Sequence, residues 1–321
     1  MTAQNSPWAG VLPATLCPFN DDETLDTGGL YDYFSELASV PGVNGLVCNG
    51  HTGEVMSLLP AERVEVTSIL AKAVADSGRS VKAISGISAE GSAEAVEHAL
   101  GAKAAGADGI LLMPPHHWLR FGRKSATAIG FFQDVAEGSD IPIVVHQYPA
   151  WTKSGYKLEE MLELVKIPQV VCIKMGTREM TRQLYDYQKL KEAAPHIPIL
   201  TCHDEFLLPS LLEAADGALV GFAGFVPELI VEIVTAALNG DYHGAKAAQK
   251  KLEPLNRIVY SFGEPGSDAH QRMKCARWLM GRFPNRKMRR PLRDLAEAEV
   301  DGIADKLRAA GYETVLDKVS A

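Results

Sequence analysis

Eight short apolar runs, each followed by a stretch with helical spacing, constrain this chain more than any other feature. The runs are Gly10 to Phe19, Gly45 to Asn49, Ser80 to Ile87, Gly109 to Met113, Ile141 to Tyr148, Val170 to Thr177, Ile197 to Cys202 and Gly217 to Gly224. Between them, helical patterns are predicted over about Thr27 to Ala38, from Pro60, and over Ser88 to Ala105, Ser125 to Ala136, Leu158 to Val165 and Thr181 to Ala194. No linker or repeat interrupts the alternation, so it predicts an α/β fold of one kind, a closed (β/α)8 TIM barrel rather than an open sheet. From Val226 the strand pattern stops. Pro227 suits a helix start, and Leu229, Ile230, Ile233, Val234, Ala237 and Leu238 fall on one face. Further helical stretches near Tyr242 to Phe262, Asp268 to Gly281 and Pro291 to Ala310 predict a C-terminal helical extension. The expected division is a barrel over residues 1–238 and a helical unit over 239–321.

Composition narrows the class. With 46% hydrophobic residues the chain can fill a large core, and its net charge of -8 is spread without a basic patch, which points away from nucleic acid. Cys17, Cys48, Cys172, Cys202 and Cys275 show no metal-like pairing, and an odd set of mostly apolar-run cysteines suits a reducing compartment. Met1 to Trp8 lacks the basic start and apolar centre of a secretory signal, and no apolar run is long enough for a bilayer. The expectation is a cytoplasmic protein with a small-molecule partner, without nucleic acid or membrane.

The sixth run carries the chemistry. In Val170-Val171-Cys172-Ile173-Lys174-Met175-Gly176-Thr177 a single cation interrupts an apolar strand. Burial disfavours the ammonium, lowers its pKa and leaves a nucleophilic amine, whose usual use is an imine with a carbonyl substrate. The plainer alternative is a lysine whose stem packs while its head reaches water or a carboxylate. Barrel enzymes place reacting groups at the C-terminal ends of strands. There this chain collects His51 and Thr52, His116 and His117, His146 and Tyr148, Lys174, and His203 with Asp204, so that five of its nine histidines gather on one rim. Either Lys174 forms an imine while His or Tyr groups move protons, or the histidines hold a divalent metal. No His-x-His or helical Glu-x-x-His pair is present, and the lysine would set its charge beside the ion. The imine is the favoured reading, with no metal and no cofactor. The turn Gly50-His51-Thr52-Gly53-Glu54 supplies backbone N–H groups where a carboxylate or phosphate can sit.

These residues resemble the dihydrodipicolinate synthase and N-acetylneuraminate lyase superfamily of Schiff-base lyases over nearly the whole chain. The turn at Gly50 to Glu54 is similar to the family's Gly-x-x-Gly-Glu turn, Ile173-Lys174 to its imine lysine on the sixth strand, and Tyr148-Pro149 to its segment upstream. The resemblance implies a pyruvate-dependent aldolase, hydratase-aldolase or 2-oxo-3-deoxy acid dehydratase that works as a homo-oligomer, dimer or tetramer. It implies Lys174, His146 and Tyr148 as catalytic, and Gly50, His51, Thr52, His117, Trp151 and Leu219 as substrate-binding. The departures matter. The family's catalytic tyrosine position falls on His146, with Tyr148 two residues on and on the same strand face. His51 replaces the first threonine of the family's Thr-Thr pair, and His117 stands at the relay tyrosine of the neighbouring subunit. Trp151 stands where the synthase has an arginine for a second carboxylate, a contact tryptophan cannot make. The expectation is therefore a lyase other than dihydrodipicolinate synthase, with a metal-dependent barrel lyase or a catalytically silent 2-oxo acid binder as alternatives. Cys172 reads as barrel filling, Glu54 as a first-turn helix stabiliser, and the basic run Arg286 to Arg290 as solvated. Replacing Trp151→Arg should alter the acceptor preference, measured as relative kcat/KM across aldehydes of differing charge; an unchanged profile would count against a pocket role for Trp151.

Overall fold

The computed structural model describes residues 3–147, 154–260 and 269–319. Eight strands form its centre: β1 (Gly10–Pro13), β2 (Gly45–Cys48), β3 (Lys82–Ile87), β4 (Gly109–Leu112), β5 (Ile143–Gln147), β6 (Val170–Met175), β7 (Ile199–Thr201) and β8 (Gly217–Val220). Each is parallel to its neighbours in the order β1-β8-β7-β6-β5-β4-β3-β2. The ring closes between β1 and β2, where Asn44 N–H donates to the Val11 carbonyl (2.9 Å) and Thr15 N–H to that of Val47 (3.0 Å). This is the TIM barrel that the alternating sequence predicts.

Side chains alternate across each strand, so one set turns inward and the other meets the helices. The inward set is Leu12, Ala14, Val47, Ile84, Leu111, Val144, Cys172, Leu200 and Leu219, packed with Trp8. Trp8 lies at the N-terminal end of the barrel. Its carbonyl faces the Cys172 thiol at 3.7 Å, and its indole lies 2.7 Å from where a Cβ on Gly109 would stand. The outward set joins the helices in a second, larger core that includes Phe34, Leu70, Phe132, Leu164, Tyr187 and Ile230. Apolar filling therefore closes the lower part of the barrel, and any opening is at the C-terminal ends of the strands.

The surrounding helices are α1 (Thr27–Ser39), α2 (Pro60–Asp76), α3 (Ser92–Ala104), α4 (Trp118–Phe121), α5 (Ser125–Ser139), α6 (Leu158–Leu164), α7 (Met180–Ala193), α8 (Leu207–Glu213), α9 (Phe222–Phe225) and α10 (Pro227–Leu238). The helical extension follows as α11 (Tyr242–Val259), α12 (Ala269–Leu279), α13 (Glu297–Ala309) and α14 (Val315–Val319). None of the described helices is long and apolar enough to cross a membrane.

The first and eighth strands end three or more residues before their apolar runs do. The first stops at Pro13 instead of Phe19, and the eighth at Val220, after which Phe222 to Phe225 form the single turn α9. A short buried helix and a buried strand share the same composition, so the apolar run at Gly217 to Gly224 could not separate them. The helix expected from Pro291, α13, begins at Glu297 instead, because Asp294 draws the preceding chain into a loop through the Met288 N–H (2.8 Å) and Lys287 Nζ (3.1 Å).

A close backbone crossing fixes where β2 ends. A Cβ on Gly86 of β3 would lie 2.2 Å from the Asn49 carbonyl oxygen and 3.1 Å from the Gly50 nitrogen. Gly86→Ala must therefore push the turn after β2 away, and should destabilise the fold by about 1–3 kcal/mol. Urea denaturation checks this, and an unchanged midpoint would contradict the crossing.

Candidate active site

Lys174 lies on β6 with the same strand parity as Cys172, so it turns into the barrel just above the apolar filling. Its register partners are His146 on β5 and Leu200 on β7. The lysine is half-buried, enclosed but reachable from the mouth. Desolvation lowers its pKa from the ordinary 10.5, and the nearby Cys202 and Asp204 partly oppose that.

Two imidazoles stand beside it. His146 is 3% exposed, and its ring centre lies 5.9 Å from that of His51, which in turn is 6.2 Å from His116. Burial holds the His146 pKa well below the usual histidine value, with Lys174 and His51 adding to the shift. Burial also brings His51 down to about 3, helped by Lys174, His116 and His270. Both rings are therefore neutral near neutral pH, and each can donate and accept a hydrogen bond beside the amine.

The turn after β2 forms the facing wall. Asn49 and Glu54, at φ 53° and 55°, adopt the left-handed conformation at its two ends. Between them the Gly50 carbonyl accepts from the Gly53 N–H (3.1 Å) and the Val55 N–H (3.2 Å), and the His51 carbonyl from the Glu54 N–H (3.1 Å). The Asn49 amide anchors one end by donating to the Arg63 carbonyl (2.8 Å) and to the Thr67 and Ser85 hydroxyls (both 3.0 Å). Glu54 anchors the other through a fully buried ion pair with Lys274 of α12. This corrects the expected first-turn role of Glu54: α2 starts at Pro60, and Glu62 accepts from its Leu59 N–H (2.7 Å).

Asp204 closes the side next to β8. Its carboxylate accepts from the Phe222 N–H at the start of α9 (2.8 Å) and from the Tyr260 hydroxyl (2.6 Å). Burial raises its pKa to about 6 against those two hydrogen bonds. Above that pH it places a negative charge near Lys174, suited to a cationic imine.

The other candidate positions divide. Thr52 belongs to the turn, its hydroxyl 3.5 Å from where a Cβ on Gly221 would stand, so the absent side chain leaves room beside it. Leu219 lies in the apolar filling of the barrel. His117 sits at the rim, its N–H (2.8 Å) and Nδ1 (3.0 Å) against Glu90, with His116 on the same carboxylate. His203 is turned away, its Nε2 against the Thr177 carbonyl (2.7 Å) and its ring stacked 4.5 Å from Phe206. Tyr148 and Trp151 lie outside the described residues. Among the described residues, no group of three or more His, Cys, Asp or Glu is arranged to hold a metal ion. A cleft of about 310 Å³ lined by Trp118, Arg123, Gln147, Tyr156, Glu160 and Arg182 lies outside the barrel wall, because Gln147 alternates with the inward His146.

The basic run at Arg286 to Arg290 is not a solvated stretch, as its composition suggested. Met288 is buried, Arg289 pairs with Glu62 (2.6 Å) and Lys287 with Asp294 (3.1 Å). The composition could not reveal this, since the partner carboxylates come from distant parts of the chain as well as from the next loop. Lys274 and His270 also enter the site without a local motif to announce them, whereas Asp204 stands on the rim where its place after the seventh run put it. A lysine in the amphipathic α12 stretch reads as surface until its partner is known.

The same architecture recurs in known proteins. A model described as the dihydrodipicolinate synthetase family matches residues 7–310. The chain belongs to this family. Relatives include the 4-hydroxy-tetrahydrodipicolinate synthase of Methanosarcina barkeri, 29% identical over 94% of this chain and 98% of that one. The enzyme of the same name from Anaeromyxobacter dehalogenans is 30% identical over 95% and 98%. Among solved structures, YagE, an E. coli prophage protein of the dihydrodipicolinic acid synthase family solved in complex with pyruvate, superposes with a TM-score of 0.85 at 25% identity, over 96% of this chain and 100% of that one. The dihydrodipicolinate synthase of Aquifex aeolicus also superposes at 0.85, with 23% identity over 96% and 100%, and shows the shared fold. The family is one of lyases of the class I aldolase type, which work on pyruvate through a lysine imine.

A desolvated amine loses its proton at lower pH than an exposed one. The pH profile of Lys174 acylation by an amine-reactive reagent, followed by peptide mass analysis, should therefore have its midpoint below the ordinary lysine value of 10.5. A midpoint at or above that value would contradict the enclosure described.

Proposed function

We propose that this protein is a Schiff-base lyase acting on a 2-oxo acid, either an aldolase that releases pyruvate, a hydratase-aldolase, or a dehydratase of a 2-oxo-3-deoxy acid. The observation that carries the reading is the half-buried Lys174 with its lowered pKa, in register with a neutral His146 and facing a turn able to bind a carboxylate. The neutral Nζ attacks C2 of the keto acid; one amine proton passes to the former carbonyl oxygen and a second comes from His146 or Tyr148, so that this oxygen leaves as water and a protonated imine remains. That cation draws electrons from C3, so the bond from C3 to a proton, or from C3 to C4, can break with its electron pair passing into the enamine. For a 3-deoxy acid, proton loss at C3 is followed by departure of the C4 hydroxyl as water.

Thr52 and the Gly50 to Thr52 backbone hold the substrate carboxylate. His146 and Tyr148 carry protons between the substrate and solvent. His51, His117 and Trp151 shape the distal side, and a tryptophan at position 151 suits an acceptor less acidic or more aromatic than one bearing a second carboxylate. Ionised Asp204 offsets the charge of the iminium that forms beside it. No metal or organic cofactor takes part in this scheme, and a homo-oligomer is the proposed working form.

Borohydride reduction in the presence of pyruvate, followed by peptide mass analysis, tests the assignment. The adduct should map to Lys174, and Lys174→Ala should abolish both adduct and turnover. Wild-type activity in Lys174→Ala would refute the mechanism. Trapping on Lys174 with no turnover of any 2-oxo acid would instead favour a binding protein, a reading that His146 at the family's catalytic tyrosine position makes concrete.

A further inference from the structure

Helix α12 reaches the candidate site although its sequence reads as part of an appendage. Three residues at i, i+3 and i+4 spacing face the turn after β2. His270 is close enough to His51 to help lower its pKa. Met273 lies 3.0 Å from the Gly221 Cβ position that Thr52 also borders. Lys274, fully buried, pairs with Glu54 and donates to the Lys287 carbonyl (2.9 Å).

The Glu54 end of the turn is held from several directions. The Arg289 N–H approaches its second carboxylate oxygen (3.4 Å), while the Arg289 guanidinium pairs with Glu62 (2.6 Å) at the start of α2. Both cations also lie over the Phe19 ring, Lys274 at 4.9 Å and Arg289 at 5.4 Å from its centre. Burial pushes the Glu54 carboxyl up, and Lys274 opposes that shift. A glutamate with φ 55° is an unfavoured backbone state that persists only where its surroundings over-determine it. Here those surroundings come from a segment 220 residues away in sequence.

We propose that Lys274 is a positioning residue for the reaction: through Glu54 it holds the Gly50–Glu54 turn in the shape that receives the carboxylate of the 2-oxo acid. This rests on the reading given under the proposed function. Lys274 touches no reacting atom, so it acts on substrate affinity and leaves the imine chemistry on Lys174 intact. The helical extension thereby becomes part of the substrate site.

The test is borohydride trapping on the full-length protein across a pyruvate series. Lys274→Met should raise the half-saturating pyruvate concentration about tenfold while the trapped yield at saturation persists, the pattern of lost ground-state binding. Lys274→Arg, which keeps the charge, should stay within about threefold of wild type. Glu54→Gln with Lys274→Met leaves no unpaired buried charge, so it decides the matter where the single variant folds poorly; it should show the same rise. Hydrogen exchange in the peptide spanning the turn should quicken in both methionine variants, with the rest of the barrel unchanged. A merely structural role would lower thermal stability but leave half-saturation of the folded protein at the wild-type value, and that result overturns the proposal. Absence of any adduct in the wild type would instead strike the imine reading itself and take this inference with it.

Discussion

The desolvation of one amine is the constraint on which the rest of this structure depends. Lys174 stands where the apolar filling of the barrel ends and the polar rim begins. One pleat lower, at Cys172, it would be sealed in the apolar filling; one residue along it would face the helices. At its position the charged form is disfavoured but the head remains within reach of a ligand. The filling beneath matters as much as the rim. Trp8 and the inward leucines exclude water from below, so the lysine meets solvent only from the side a substrate would use.

The electrostatic surroundings are arranged around that amine. His51 and His146 are held neutral by burial and by the lysine itself, so they do not compete with it for charge. Asp204 provides the balancing carboxylate, and its hydrogen bonds to the Phe222 N–H and Tyr260 tie the site to α9 and to the residue that follows α11. On the opposite wall, removing one partner from an ion pair as buried as Glu54 and Lys274 costs about 3–5 kcal/mol, because the other charge is left without compensation. A turn braced in that way is rigid enough to serve as a binding surface.

Much of this was legible in the sequence, for physical reasons. Strands buried on both faces read as continuous apolar runs, and a lysine inside one stands out because its burial needs a cause. The glycines at 50 and 53 marked the turn, and parity placed Cys172 on the same side as Lys174 and His146 on the same side as Tyr148. What the sequence hid were relations between distant segments. Glu54 looked like a helix-opening residue because carboxylates favour first turns, and nothing near it named Lys274 as partner. The run Arg286 to Arg290 looked solvated because charge runs usually are, yet Glu62 and Asp294 draw it inward. His203 was grouped with the rim by position, but stacking on Phe206 turns it away. In each case side-chain pairing across the fold overrode the local expectation.

The central claim is that the enclosed amine of Lys174 joins covalently to a keto acid held by the turn after β2. A crystal structure after soaking with pyruvate tests this most directly. The account requires continuous density from Lys174 Nζ to C2 of the ligand, with its carboxylate against Thr52 and the backbone of the turn. Pyruvate bound without a covalent link, or lodged in the outer cleft beside Gln147 while Lys174 stays unmodified, would contradict it.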